Sequence, residues 1–205
     1  MVRDSYTHAM IIVSVSEQML YQRRKTGVWY AYPVSTASNG VGNLSGSLQT
    51  PLGRHRIAEK IGHGLPPLTA FRARQPFCIY NQSKKRLPPL PWMAGKRDSV
   101  CEACETRTFR MAHKQKSWKI FADQTNDWIL TRILWLSGCE TGKNRRGKVD
   151  SYRRYIYIHG THEEAKIGSP ASHGCIRMGN EDMLDLFDHA ATGESVRIQL
   201  KSFTR

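Results

Sequence analysis

The stretch Tyr157–Asp182, YIHGTHEEAKIGSPASHGCIRMGNED, holds three histidines, a cysteine preceded by glycine, and an arginine two positions after that cysteine. Only a thiolate is a competent sulfur nucleophile, so Cys175 needs a base or a positive environment. His159, expected at the end of a strand, is the candidate base. Sixteen positions separate it from Cys175, enough for a loop that returns the thiol to its side. Gly174 permits a tight turn just before the cysteine, and backbone N–H groups around Gly174 and Cys175 could face a developing oxyanion. In an extended segment Arg177 falls on the same side as the thiol, where its cation could stabilise the thiolate or hold a substrate carboxylate.

Plainer readings stand beside this one. His173 could simply pack the loop, and Arg177 could pair with Asp182 or another acid. His162, next to Glu163 and Glu164, reads as a solvated loop histidine. A zinc set of His159, His162, His173 and Cys175 matches no compact ligand spacing. Cys101 and Cys104 have CxxC spacing that Cys78 and His113 could complete for zinc. Without a second such pair, two unpaired loop thiols are the simpler description. No metal and no cofactor is expected.

The elements that must position these residues are mostly strands. Ile11, Val13 and Val15 alternate with Ile12, Ser14 and Ser16; Met19 and Tyr21 resume the pattern, and Val28, Tyr30, Tyr32 and Val34 repeat it. Ser38–Ser47 reads as a loop and Thr50-Pro51-Leu52-Gly53 as a turn, structural rather than substrate-binding. A strand resumes at Arg56–Glu59. From about Leu65 periodicity fades, and the chain reads as carrying an insertion at about 77–125. Trp128–Leu136, Tyr155–His159 and Val196–Leu200 are further strands. Asn180 suits a helix N-cap, Met183, Leu184, Phe187 and Ala190/Ala191 share one helical face, and Gly193 ends that helix.

The chain has 205 residues and a formal net charge of +14, with 40% hydrophobic residues. That supports one domain with a real core and excludes wholesale disorder. No run approaches the ~20 apolar residues of a membrane-spanning helix. Met10–Val15 is too short and too broken by serine for a signal peptide, so it reads as a strand. Lys84–Lys119 carries ten Lys and Arg against three Asp and Glu, half of the net charge. This stretch could serve an anionic polymer, although a solvated charged loop is the simpler description and no nucleic-acid motif accompanies it. The five cysteines are too scattered for a disulfide framework, and their odd number points to a reactive thiol.

His159-Gly160-Thr161, Ile167-Gly168 and Ser172-His173-Gly174-Cys175-Ile176-Arg177-Met178, followed by Asn180 and Asp182, resemble the signature of the L,D-transpeptidase (YkuD-type) catalytic domain. Tyr32-Pro33-Val34-Ser35, Thr50-Pro51-Leu52-Gly53, Trp128–Leu136 and Arg154–His159 extend the resemblance to nearly the whole chain except roughly Phe77–Thr125. It implies a mainly β, sandwich-like fold with a short helix after the catalytic loop, in one domain over 1–205. It also implies cysteine acyl transfer on peptidoglycan stem peptides, both donor and acceptor. Cys175 would be the nucleophile, His159 its base, and the Gly160 carbonyl the group that orients the imidazole. Ser172, His173, Gly174 and Arg177 would line the oxyanion and substrate side. With water as acceptor, the same site would be an L,D-carboxypeptidase. From another class, the scaffold could be a non-catalytic binder of anionic polymer. Such an enzyme is expected in the periplasm or cell envelope, while the lack of a readable leader leaves a cytoplasmic location open.

Overall fold

The computed structural model describes residues 10–80 and 128–203. Among these described residues, ten strands and one α-helix make up the frame. The strands are β1 (Met10–Ser14), β2 (Met19–Arg23), β3 (Trp29–Ser35), β4 (Gly53–Ile61), β5 (Thr69–Arg72), β6 (Gln75–Ile79), β7 (Ile129–Gly138), β8 (Tyr157–Thr161), β9 (Ile176–Met178) and β10 (Ser195–Gln199). The helix α1 spans Asn180–His189, between β9 and β10. The mainly β fold with a short helix after the cysteine loop is therefore the one observed. Among the described residues no helix is long and apolar enough to cross a membrane.

The strands form one mixed sheet in the order β4-β10-β1-β2-β3-β9-β8-β7-β5-β6, and β4 also pairs with β7. Hydrogen bonding thus runs in a closed circuit around eight strands, with the β5–β6 hairpin attached outside it through β7. Two pairings are parallel, β1 with β10 and β8 with β9. A parallel pair is normally buried on both faces. That explains why β8, with the apolar run YIYIH leading into it, is buried along its whole length.

Alternation sorts side chains into two layers. Ile158, Ile176 and Leu134 join Ile11, Val13, Leu20, Val34 and Ile57 in the main core, which also takes Met183, Leu186 and Phe187 of α1. On the opposite face of β7 and β8, Ile133, Trp135 and Tyr157 form a second cluster with Phe71, and Cys175 packs against it. Lys60 on β4 donates from Nζ to the carbonyls of Phe187 and Ala190, both at 2.6 Å. It thereby satisfies carbonyls at the helix C-terminus that lack partners within the helix.

Several sequence expectations are corrected. In β2 the residues turned inward are Leu20 and Gln22, not Met19 and Tyr21, because the antiparallel register with β1 sets the phase. Periodicity past Leu65 is weak, yet the chain forms the β5–β6 hairpin, whose edge is held by pairing with β7. The α1 N-cap is Gly179 rather than Asn180, and the helix closes at Ala190, before Gly193. Asn180 fails as a cap because its side chain is committed elsewhere, as set out below. The helix buries Leu186 in place of Leu184. The rings of Tyr80 and Trp128 lie 6.4 Å apart, so the two described segments end and begin at neighbouring points. The CxxC of Cys101 and Cys104, His113 and the basic run Lys84–Lys119 lie outside the described residues, as does the side chain of Cys78.

Candidate active site

Parallel pairing of β8 with β9 brings the two halves of the motif together. The register matches Ile158 with Ile176 and His159 with Arg177. Cys175 precedes β9, one step before Ile176. Strand alternation therefore turns Cys175, Tyr157, His159 and Arg177 to one face and Ile158 and Ile176 to the core. His159 lies in the middle of β8, not at its end as expected, and is buried. Its Nδ1 is 2.8 Å from the Gly160 carbonyl oxygen. A carbonyl only accepts, so Nδ1 carries the proton and the lone pair of the neutral ring is at Nε2.

An irregularity in β7 lies beside this histidine. Leu130 pairs with Gly160 and Ile133 with His159, so Thr131 and Arg132 are extra residues across one step of β8. Thr131 has φ 70, an outlier for a β-branched residue. Bulges re-aim side chains and are over-represented next to active sites. Asn180 fastens this one. Its Oδ1 accepts from Thr131 Oγ1 at 2.6 Å, and its Nδ2 donates to the Thr161 carbonyl at 2.7 Å and to Glu164 Oε1 at 2.8 Å. Glu164 Oε1 also accepts the Asn180 backbone N–H at 2.6 Å, supplying from a distance the cap that Asn180 does not provide. Gly160 is packed against the same group. A Cβ there would stand 2.4 Å from Asn180 Oδ1 and 2.8 Å from the Leu130 carbonyl oxygen.

The cysteine loop is drawn tight by its own side chains. Ser172 is fully buried; its Oγ donates to the Cys175 carbonyl at 2.6 Å and accepts the Gly174 N–H at 3.2 Å. Thr50 Oγ1 accepts from the Ala37 N–H and donates to the Gly174 carbonyl, so the Thr50–Gly53 turn is structural, as expected. Gly174 has φ 126, a conformation that L side chains rarely adopt. The Cys175 thiol is half-buried, with Sγ 3.4 Å from the Tyr155 carbonyl oxygen; His173 is exposed.

The structure also places cations that the motif reading assigned differently or missed. Arg177 faces the thiol side by alternation, yet its guanidinium is buried and Nη1 meets Glu163 Oε2 at 2.9 Å. Glu163 in turn takes Lys166 at 2.5 Å, and that bond together with the Arg177 cation holds its carboxyl below the ordinary range. Arg154 stands out in the sequence only as part of the Arg154–His159 block. Its Nη atoms donate to the carbonyls of Gly42 and Gln49 and to Ser47 Oγ. Burial lowers its pKa, and negative charge on the neighbouring Cys175 sulfur would oppose that. His162 is not a solvated loop residue: it is half-buried, with its ring 6.0 Å from that of Tyr80 in an edge-on arrangement.

The family profile described as the L,D-transpeptidase catalytic domain (YkuD) matches residues 8–198. The chain belongs to the L,D-transpeptidase catalytic domain family. No curated protein matches it. Among solved structures, it is similar to an L,D-transpeptidase from Mycobacterium smegmatis at 11% identity and TM-score 0.43, covering 93% of this chain and 58% of that one. It is similar also to the L,D-transpeptidase of Xylanimonas cellulosilytica, at 13% identity and TM-score 0.48, covering 96% and 62%. L,D-transpeptidase 3 from Mycobacterium tuberculosis, solved with a faropenem-derived adduct, matches at 12% identity and TM-score 0.47, covering 93% and 60%. The chain thus spans about three fifths of the length of these L,D-transpeptidase structures.

Proposed function

We propose that this protein is a cysteine acyltransferase that acts on peptidoglycan stem peptides through an acyl-enzyme on Cys175. The observation that carries the reading is the shared face of Cys175 and His159, combined with the Gly160 carbonyl that keeps the lone pair of His159 at Nε2. His159 takes the Cys175 proton, and the thiolate attacks the carbonyl that joins the penultimate residue to the terminal D-amino acid. The tetrahedral oxyanion is met by backbone N–H groups of the His173–Cys175 loop. Collapse breaks the C–N bond, and the imidazolium returns its proton to the departing amine. An acceptor amine then attacks the thioester, gives its proton to His159, and releases Cys175 as thiolate. The Gly160 carbonyl takes the orienting part that a carboxylate plays in a Ser-His-Asp triad. Arg154 favours the thiolate from the side.

Intact-mass spectrometry with a carbapenem or a tetrapeptide stem tests this. The wild type is expected to gain one covalent adduct and Cys175→Ala none. His159→Gln should acylate about 10²–10⁴-fold more slowly, the usual range for loss of a general base. No adduct on the wild type, or an equal adduct on Cys175→Ala, would overturn the reading. Product analysis with two stem peptides then separates cross-link formation from release of the D-amino acid to water.

A further inference from the structure

The β5–β6 hairpin ends in a two-residue turn, Ala73-Arg74, across which Arg72 pairs with Gln75. Both turn residues have positive φ, 47 and 68. Such turns normally call for Asn or Gly, and strained backbone of this kind concentrates at functional sites. The turn carries the Arg74 guanidinium to within 4.8 Å of the Trp135 ring centroid and 5.1 Å of that of Tyr155. Trp135 is held by Tyr152, stacked at 4.0 Å, and meets Tyr157 edge-on at 5.5 Å. These aromatic groups adjoin the nucleophile: Tyr155 supplies the carbonyl facing Cys175 Sγ, and Cys175 packs on the Trp135–Tyr157 cluster. Burial raises the Tyr157 pKa, so its hydroxyl stays a donor, and both Arg74 and Cys175 act on it. Among the described residues no carboxylate pairs with Arg74. Its guanidinium hydrogen-bonds the Tyr157 and Tyr155 hydroxyls, and these neutral partners leave its positive charge uncompensated and able to attract an anion.

We infer that Arg74, carried on the strained hairpin turn and seated on Trp135 and Tyr155, is a specificity-determining residue that binds a free carboxylate of the acyl donor beside Cys175. The donor's identity rests on the acyl-transfer reading above; the presence of an anion subsite beside the thiol does not. A stem peptide offers two carboxylates, one on the departing D-amino acid and one on the side chain of a diamino acid. Arg74 recognises the chemistry they share. Arg154 lies near the same thiol, but its donors are taken by backbone carbonyls and Ser47. Arg177 is closed off by Glu163. Arg74 instead meets the hydroxyls of Tyr157 and Tyr155, neutral side-chain groups beside the same thiol, and no carboxylate among the described residues.

Two measurements test the inference. In the first, Cys175 is alkylated at neutral pH by iodoacetate and by iodoacetamide, with its modification followed by peptide mass. Arg74→Gln should lower the ratio of the two rates about three- to tenfold, as expected for loss of one nearby unit charge at high effective dielectric. Arg74→Lys, which keeps the charge, should restore the ratio. An unchanged ratio in Arg74→Gln overturns the subsite, whatever the absolute rates do. The second compares three tetrapeptide donors: the free acid, its C-terminal amide, and the side-chain amide. Arg74→Gln should lower acylation kcat/KM on the free acid about 10- to 100-fold, chiefly through KM. The loss should vanish on whichever amide lacks the recognised carboxylate, which identifies it. An equal loss on all three donors overturns the assignment. A wild type that no donor acylates defeats the acyl-transfer reading, while the alkylation ratio still decides the subsite.

Discussion

Three imidazoles among the described residues meet backbone carbonyls through Nδ1: His159 at Gly160, His55 at Gly53 at 3.1 Å, and the exposed His189 at Asp185 at 2.9 Å. His159 lies beside the thiol. His55 is buried, with Nδ1 donating to the Gly53 carbonyl and Nε2 2.9 Å from Ser151 Oγ, whose hydroxyl can donate to the neutral ring. Burial pushes its pKa down to about 4. In the unfolded chain the same group titrates near 6.5. As pH falls, the unfolded state takes up this proton first, so the stabilisation is complete above about pH 6.5 and is lost progressively towards pH 4. The full effect is about 3 kcal/mol. Denaturant unfolding at pH 7 and pH 5 should show the wild type losing stability, and His55→Asn losing less. A variant that tracks the wild type across this window would refute the assignment.

At the level of elements, the placement of His159 depends on a meeting of β7, β8 and α1. The bulge at Thr131 and Arg132, Gly160 on β8 and Asn180 at the start of α1 share one packed spot. Gly160→Ala puts a methyl group where Asn180 Oδ1, the Leu130 carbonyl and the Thr131 Cβ already stand. Overpacking of this kind costs about 1–3 kcal/mol. The melting temperature should fall by several degrees, and acylation by a carbapenem should slow at temperatures where the variant is fully folded, because the displaced strand carries His159. Unchanged stability and rate would mean that the spot is not as tight as described.

For the molecule as a whole, the closed circuit makes β4 a shared strand, bonded to β10 along Gly53–Arg56 and to β7 along His55–Ile61. Ile57 on that strand is fully buried in the main core. Ile57→Ala should cost about 2–5 kcal/mol through lost burial and the cavity left behind. Because both directions of the circuit run through β4, far-UV circular dichroism and tryptophan fluorescence should report one coincident transition. Two separated transitions would contradict the shared strand. Charge has a whole-molecule aspect too. Besides Lys84–Lys119, the β7–β8 connection exposes Lys143, Arg145, Arg146, Lys148 and Arg153. The surplus of +14 is therefore not confined to one stretch, and a basic surface suits proposed substrates that carry carboxylates.

The residues of the histidine and cysteine motif were readable from order and spacing because their conditions are local. A glycine before the cysteine, a carbonyl one residue after the histidine, and a period of two along β8 and β9 are all written within a few positions. Local pattern also sufficed for most of the strands and for α1. It failed where the outcome depends on pairing between distant segments. The phase of β2 follows from its partner, the β7 bulge exists only relative to β8, and Asn180 is drawn from capping by acceptors and donors on three other elements. Arg74 stands about a hundred positions before Cys175, in a stretch of weak periodicity, and nothing near it in the chain marks it out. Register and strand neighbours bring it to the Trp135–Tyr157 wall, and those are settled by the packing of the whole sheet rather than by any local run of residues.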